Sequence, residues 1–295
     1  MFRHNASSEK LRSWPCDRPL QPSFRFPVAF ALGVLLAISS PAVPAMAATQ
    51  PEEPFKFTNV HFETNASGCD MGIQILFDTD GVTEGSVEDP DGQVVYSFQT
   101  AFGMEETHDQ TEGFQERVEP PITDLEDALG CEPSADAITL SQLLAAWPAG
   151  KYEFEGTSGG VEFEGTATLS HRVPAGPVIT APEDGAVVPH DRPLVIRWSK
   201  VTGPIIPTLG PVQIVGYHIV VKDLSAPASP GRVPAQLDGD VSKNETSFTV
   251  PKQYLEPNKK YEFEVLATET GNNQTITEGG VFCTPPMNAA QCVLE

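Results

Sequence analysis

The chain has 295 residues, with 40 Asp and Glu against 18 Lys and Arg and a formal net charge of −22 at pH 7. A field of that sign repels phosphate backbones and anionic lipid, which argues against nucleic-acid and membrane-surface binding. It suits a cation, a basic partner, or simple solubility outside the cell.

Residues 1–47 read as an export signal. Arg3, Lys10, Arg12, Arg18 and Arg25 precede the apolar run Val28 to Ile38, and Ala45-Met46-Ala47 places small residues at a cleavage site. The run falls well short of the ~20 residues that cross a bilayer, and Pro41 and Pro44 end it. The expectation is a chain from about Ala48 that is secreted or periplasmic, with no membrane insertion after cleavage. Its charge is uneven: residues 48–173 hold 4 basic and 25 acidic residues, residues 174–295 hold 9 and 13.

Strands are predicted at Phe55 to Thr64, Met71 to Asp78, Gly85 to Gly92 and Gln93 to Thr100, the last two joined by an Asp-Pro-Asp-Gly turn. Next comes an insertion, 105–147, whose first part carries eleven carboxylates between Glu105 and Asp136 against Arg117 alone. Ile122 to Gly130 and Thr139 to Trp147 have helical spacing, the second stopped by Pro148. Trp147 to His171 reads as a hairpin with the tight turn Gly156 to Gly160. A Pro-rich joint, Val173 to Ile179, leads to further β-rich runs at Arg192 to Val201, Val215 to Leu224, Glu245 to Val250 and Lys260 to Thr270. Turn signals separate them at Pro182 to Gly185, Ser229 to Arg232, Leu237 to Asp240 and Thr270 to Asn273. Many short strands without long helices indicate an all-β sandwich architecture.

Cys69, Cys131, Cys283 and Cys292 remain after the leader is removed, an even number in an exported chain. Four cysteines allow three pairings. Keeping each loop within one domain favours Cys69 with Cys131 and Cys283 with Cys292, and the absence of C-x-x-C spacing disfavours zinc.

The stretch from "PVITAPEDG" through Trp198 in "IRWSKV", Tyr217 in "VGYHIVV", "FTVPKQYLEPNKKYEFEVLATETGN" and "GGVFCT" resembles a fibronectin type III domain over residues 174–285. The resemblance implies that Trp198 and Tyr261 are packing residues, that Pro257 and Tyr261 form a tyrosine corner at the start of the sixth strand, and that Phe263 stands where antibody-type domains place a cysteine. The pentamer "KYEFE" occurs at Lys151 and again at Lys260, each time with its tyrosine four residues after a proline. Tyr152 therefore marks a second such corner, and residues 48–173 resemble a divergent immunoglobulin-like sandwich. Residues 286–295 form a C-terminal tail.

Several patterns bear on chemistry. Gly156-Thr157-Ser158-Gly159-Gly160 fits G-x-S-x-G, but it lies between two strands and not on the strand-to-helix turn a nucleophile elbow needs. His61, His108 and His171 are the histidines that could approach it. Asp78, Asp80, Glu84, Asp89 and Asp91 are dense enough for a sandwich-edge calcium site, with Asp/Gly turn chemistry as the simpler account. Asn65, Asn244 and Asn273 begin N-x-S/T patterns, with surface turns as the simpler account. His190 and His218 read as loop and strand residues. The reading that results is an exported, non-enzymatic binding module without a cofactor, calcium aside, recognising a protein or carbohydrate at the cell exterior, with the 105–136 region as contact for a cationic or calcium-bridged partner. The competing classes are an extracellular hydrolase with a fibronectin-like spacer and a structural stalk.

Overall fold

The computed structural model describes residues 52–101, 103, 109–116, 119–225 and 236–293. The leader, Glu105, Glu106, His108, Arg117 and the Ser229 to Arg232 turn lie outside the described residues. The first half supplies β1 (Glu52–Pro54), β2 (Phe57–Asn65), β3 (Asp70–Val82), β4 (Glu84–Glu88), β5 (Val94–Gln99), β6 (Gln110–Gln115), β7 (Gly150–Ser158) and β8 (Val161–Leu169). The second supplies β9 (Ile179–Ala181), β10 (Ala186–Val187), β11 (Leu194–Trp198), β12 (Ile214–Asp223), β13 (Gln236–Ser242), β14 (Ser247–Val250), β15 (Lys260–Glu269) and β16 (Gln274–Cys283).

One strand order is used twice. β2-β3-β6 faces β5-β4-β7-β8 in the first half, and β9-β11-β14 faces β13-β12-β15-β16 in the second. In both, the short strands β1 and β10 run parallel to the last strand, β8 and β16. Alternation explains the packing: Tyr152 and Phe154 on β7 and Tyr261, Phe263, Val265 and Ala267 on β15 point inward, while Glu153, Glu155, Glu262 and Glu264 point outward. Two apolar clusters result, one built around Phe62, Ile75, Phe154 and Phe163, the other around Ile196, Trp198, Tyr217 and Phe263.

The repeated pentamer opens the sixth strand of each sandwich. Tyr152 Oη donates to the Pro148 carbonyl at 3.0 Å. Tyr261 Oη accepts from the Glu256 amide at 2.8 Å and donates to the Tyr254 carbonyl at 3.2 Å. Each bond ties the incoming crossover to the strand it enters. Trp198 is buried against Tyr217 with ring centroids 5.3 Å apart, and the Tyr217 hydroxyl accepts from the Val201 amide at 2.9 Å. Of the 105–147 stretch read as an insertion, Gln110–Gln115 is β6, a strand of the sandwich itself. Its later part folds as α1 (Thr123–Leu129), closed by Gly130 in the left-handed region (φ 80°), and α2 (Leu140–Ala146), opened by a Thr139–Gln142 capping box. Ile122, Leu125, Leu140 and Leu143 close the first core, and a Cys69–Cys131 disulfide pins the insertion to the β2–β3 turn. Cys283 and Cys292 form the second disulfide.

Three sequence expectations change. The Leu237 to Asp240 "turn" lies inside β13: Gly239 is there because the Phe248 ring of β14 fills the space a Cβ would take. The "DTDG" stretch at Asp78 to Gly81 lies within β3, which runs on to Val82 through a bulge, with Gly81 at φ 138° bending the chain toward the opposite sheet. The two halves are more than beads on a proline-rich joint. β16 pairs in parallel with β2, Gln274 opposite Glu63 and Ile276 opposite Asn65, so that one sheet runs β13-β12-β15-β16-β2-β3-β6 across both sandwiches.

Asn273, expected on the surface, is fully buried at that seam. Its Oδ1 accepts from the Phe62 amide at 2.8 Å, and its Nδ2 donates to the Ser170 and Arg172 carbonyls, each at 2.9 Å. The Thr275 hydroxyl donates to the Pro174 carbonyl at 2.6 Å, and Ile205 from the β11–β12 loop packs into the first core. Burial leaves no room for a glycan on Asn273. Replacing it with Ala strands an amide and two carbonyls away from water, at ~1–3 kcal/mol for each group left unsatisfied. Asn273→Ala should therefore lower unfolding free energy by several kcal/mol in urea melts, and the wild type should unfold in one transition because the sheet is shared.

Candidate functional site

The outward side of the merged sheet collects charge from both sandwiches. Strand alternation sends Val60 and Phe62 into the core and Asn59, His61 and Glu63 outward; on β3 it sends Ile73 and Ile75 inward and Asp70, Gly72 and Gln74 outward. Register then carries the outward row on through Gln274, Leu266, Glu264, Val220, Asp238 and Asp240. Lys222 Nζ meets Glu264 Oε1 at 2.6 Å, and His218 Nδ1 meets Asp240 Oδ1 at 2.8 Å. Gln274 donates to Glu63, and Gln74 donates to Glu116 at 3.4 Å.

At the β2–β3 end the carboxylates converge. Glu63, Glu116 and Glu119 bring oxygens within 4.8 Å of one another, a set of hard donors suited to a cation such as calcium. Glu119 reaches this position because Gly72 leaves room: a Cβ there would stand 2.6 Å from Glu119 Cγ. Glu119 Oε1 is buried without a hydrogen-bond partner among the described residues. Burial, then the hydrogen bond with Asp70, then the Glu63 charge push the Glu119 carboxyl up to about 9. Asp70 and Glu63 are raised too, chiefly by burial. Behind them His61 is buried, its Nδ1 3.0 Å from Asn59 Nδ2, and burial lowers its pKa to about 4.

The five acids read as a calcium set are not brought together; no three of them place donor atoms within 4.8 Å of one another. Asp78 lies in β3, and Asp80 pairs with Lys56 at 2.5 Å. Glu84 accepts from the Thr157 hydroxyl at 3.2 Å. Asp89 accepts from the Asp91 and Gln93 amides, both at 2.9 Å, so Asp89 and Asp91 serve the β4–β5 hairpin turn. Ser158 Oγ donates to Asp109 Oδ2 at 2.7 Å beside the Gly159–Gly160 turn, and His171 Nε2 bonds the Trp147 carbonyl at 2.8 Å. Glu116 and Glu119 belong to the acid-rich 105–136 region expected to meet a cation, but Glu63 and the convergence of the three were not read from the sequence. Alternation could place Glu63 outward, but Glu119 arrives only through the fold of the insertion, and Gly72 was its sole trace.

A folded Glu119 holds its proton up to about pH 9, whereas an unfolded glutamate releases it near 4.5. The stability it contributes is complete below about 4.5 and is lost as pH rises toward 9. The melting temperature of Glu119→Gln should match wild type near pH 4.5 and exceed it increasingly toward pH 9; a constant offset across that range would refute the assignment.

No family model matches the chain, and no curated protein does. Among solved structures it is similar to the FN1–FN3 domains of chicken CNTN1, at 11% identity and TM-score 0.28, over 79% of this chain and 64% of that one. It is similar to titin domains A168–A170 at 13% identity and TM-score 0.23, over 78% and 60%. A structure described as a myokine matches at 16% identity and TM-score 0.25, over 39% of this chain and 97% of that one. The chain thus spans less than two thirds of the CNTN1 and titin structures. On its own strand order, corners and cores, the protein is an all-β pair of fibronectin type III-like and immunoglobulin-like sandwiches.

Proposed function

We propose that the protein is an exported, non-enzymatic binding module of the adhesion type, which meets a cationic partner at the cell exterior through its acidic surface. The observation that carries this reading is the merged sheet: Asp238, Asp240, Glu264, Glu63 and Glu116 share one open face, and its lysine, Lys222, is already engaged by Glu264. Backbone pairing between the halves fixes the spacing of these charges, so the surface meets its partner without first ordering two loosely hinged domains. The N-terminal apolar run and the two disulfides support export. Part of the 105–136 region belongs to the same face, since β6 is the sheet's last strand.

A second reading, contact bridged by calcium, rests on the convergence of Glu63, Glu116 and Glu119; calorimetry with millimolar calcium that shows no heat would remove it. The module reading expects the wild type to bind labelled oligolysine and not oligoglutamate, with affinity falling as salt is added. It also expects wild type and Ser158→Ala to show the same background rate on ester and peptide substrates. Turnover lost in Ser158→Ala would establish a hydrolase, and neither binding nor turnover would leave the stalk.

A further inference from the structure

The outward face of the merged sheet has an apolar end that the charge argument does not use. Phe57 on β2 is 49% exposed and Phe114 on β6 is 57% exposed. Both orientations are imposed by alternation: Val60, Phe62, Ile75 and Phe77 fill the core, which leaves Phe57, Leu76 and Phe114 on the other side. Register sets Phe114 opposite Leu76 and Phe57 opposite Asp78, two residues further along β3. Two phenylalanines on the wet side of a sheet are a departure from the polar-out pattern followed by Glu63, Gln74, Glu264 and Gln274, and such patches mark contact surfaces.

The surroundings say what kind of contact. Asp78 and Glu112 face each other beside the phenylalanines, Glu116 follows on the β6 side, and Asp238 lies at the far end on β13. From β6 to β13 the sheet spans six strand spacings, about 29 Å. An extended segment of roughly nine residues covers that distance. Resting on the binding-module reading above, we propose that this face docks an extended polypeptide segment bearing Lys or Arg at intervals and one large apolar side chain, which seats on Phe57, Leu76 and Phe114. A neutral glycan could stack on the phenylalanines but would leave the carboxylates without a counter-charge. A second copy of this chain would bring acidic faces together.

The test uses the full chain and two labelled peptides of equal charge, lysine alternating with serine, one of them ending in phenylalanine, read by fluorescence anisotropy. The wild type is expected to bind both and to prefer the phenylalanine peptide. Phe57→Ser/Phe114→Ser should abolish that preference, about a tenfold loss, while still binding the serine peptide, which also shows that the variant is folded. Glu112→Lys/Glu116→Lys/Asp238→Lys should weaken both peptides about tenfold or more. A control of the same net charge on the opposite sheet of the first sandwich, Glu155→Lys/Glu162→Lys/Glu164→Lys, should change binding by less than about threefold. Equal loss in the two charge-reversed variants, or a preference that survives removal of both phenylalanines, overturns the proposal and leaves the module reading standing. A wild type that binds neither peptide overturns both. Neutral-glycan binding or a concentration-dependent dimer, lost in Phe57→Ser/Phe114→Ser, would assign the face to carbohydrate or to self-association and overturn it as well.

Discussion

The parallel pairing of β16 with β2 is the constraint from which the rest follows. Two sandwiches joined only by Val173 to Ile179 would present separate surfaces, each free to turn on the other. Parallel hydrogen bonding over Gln274 to Ile276, with Asn273 bonded to Phe62, Ser170 and Arg172, makes the seam part of a sheet. A buried amide with every partner in place is strongly directional, because any other docking of the halves would leave those backbone groups dry and unbonded. Apolar contact alone would not set the register so tightly. Here Ile205 adds burial, and Asn273 and Thr275 select the alignment.

That alignment concentrates charge. On each strand the acids merely mark a solvated side, as in any half-buried sheet. Once the sheets merge, carboxylates separated by as much as about two hundred positions in sequence share one face. Within the first sandwich alone, Glu63, Glu116 and Glu119 already approach closely enough for burial and mutual repulsion to keep a proton on Glu119. Repulsion of this kind costs stability, so a surface that keeps it is paying for something other than folding. The exposed phenylalanines are a second unfavourable feature on the same face, and the coincidence of the two gives the docking argument its weight.

Much of the fold could be read in advance because it depends on local patterns. Runs rich in β-branched and aromatic residues between Gly, Pro and Asn clusters placed β2, β12 and β15, and alternation placed β8, each to within about two residues at its ends. The Pro148–Tyr152 and Pro257–Tyr261 spacings located both corners, and Thr139, Gly130 and Pro148 bounded the helices. The errors have identifiable physical causes. Asp78 to Gly81 and Leu237 to Asp240 have turn composition, yet each glycine serves a bulge or a neighbouring ring inside a strand. The calcium set was chosen by closeness in sequence, whereas alternation and the turn separate those five acids in space. Asn273 looked like a hairpin-tip residue, which it is; nothing local indicates that the tip is inserted against another sandwich.

The sequence by itself determined the class, the two cores, the corners, the excess of acid in the first half and the even set of cysteines, because these rest on side-chain period, fixed proline geometry and composition. Only the tertiary structure decided which edge strands join, and therefore which carboxylates of the two halves share a face; the favoured pairs Cys69–Cys131 and Cys283–Cys292 both form. Edge pairing is made by backbone groups that every residue but proline carries, so it leaves little mark on side-chain pattern. The stretch that joins Glu63 and Glu116 to Glu264, Asp238 and Asp240 exists only across that pairing, and for that reason neither half alone shows it.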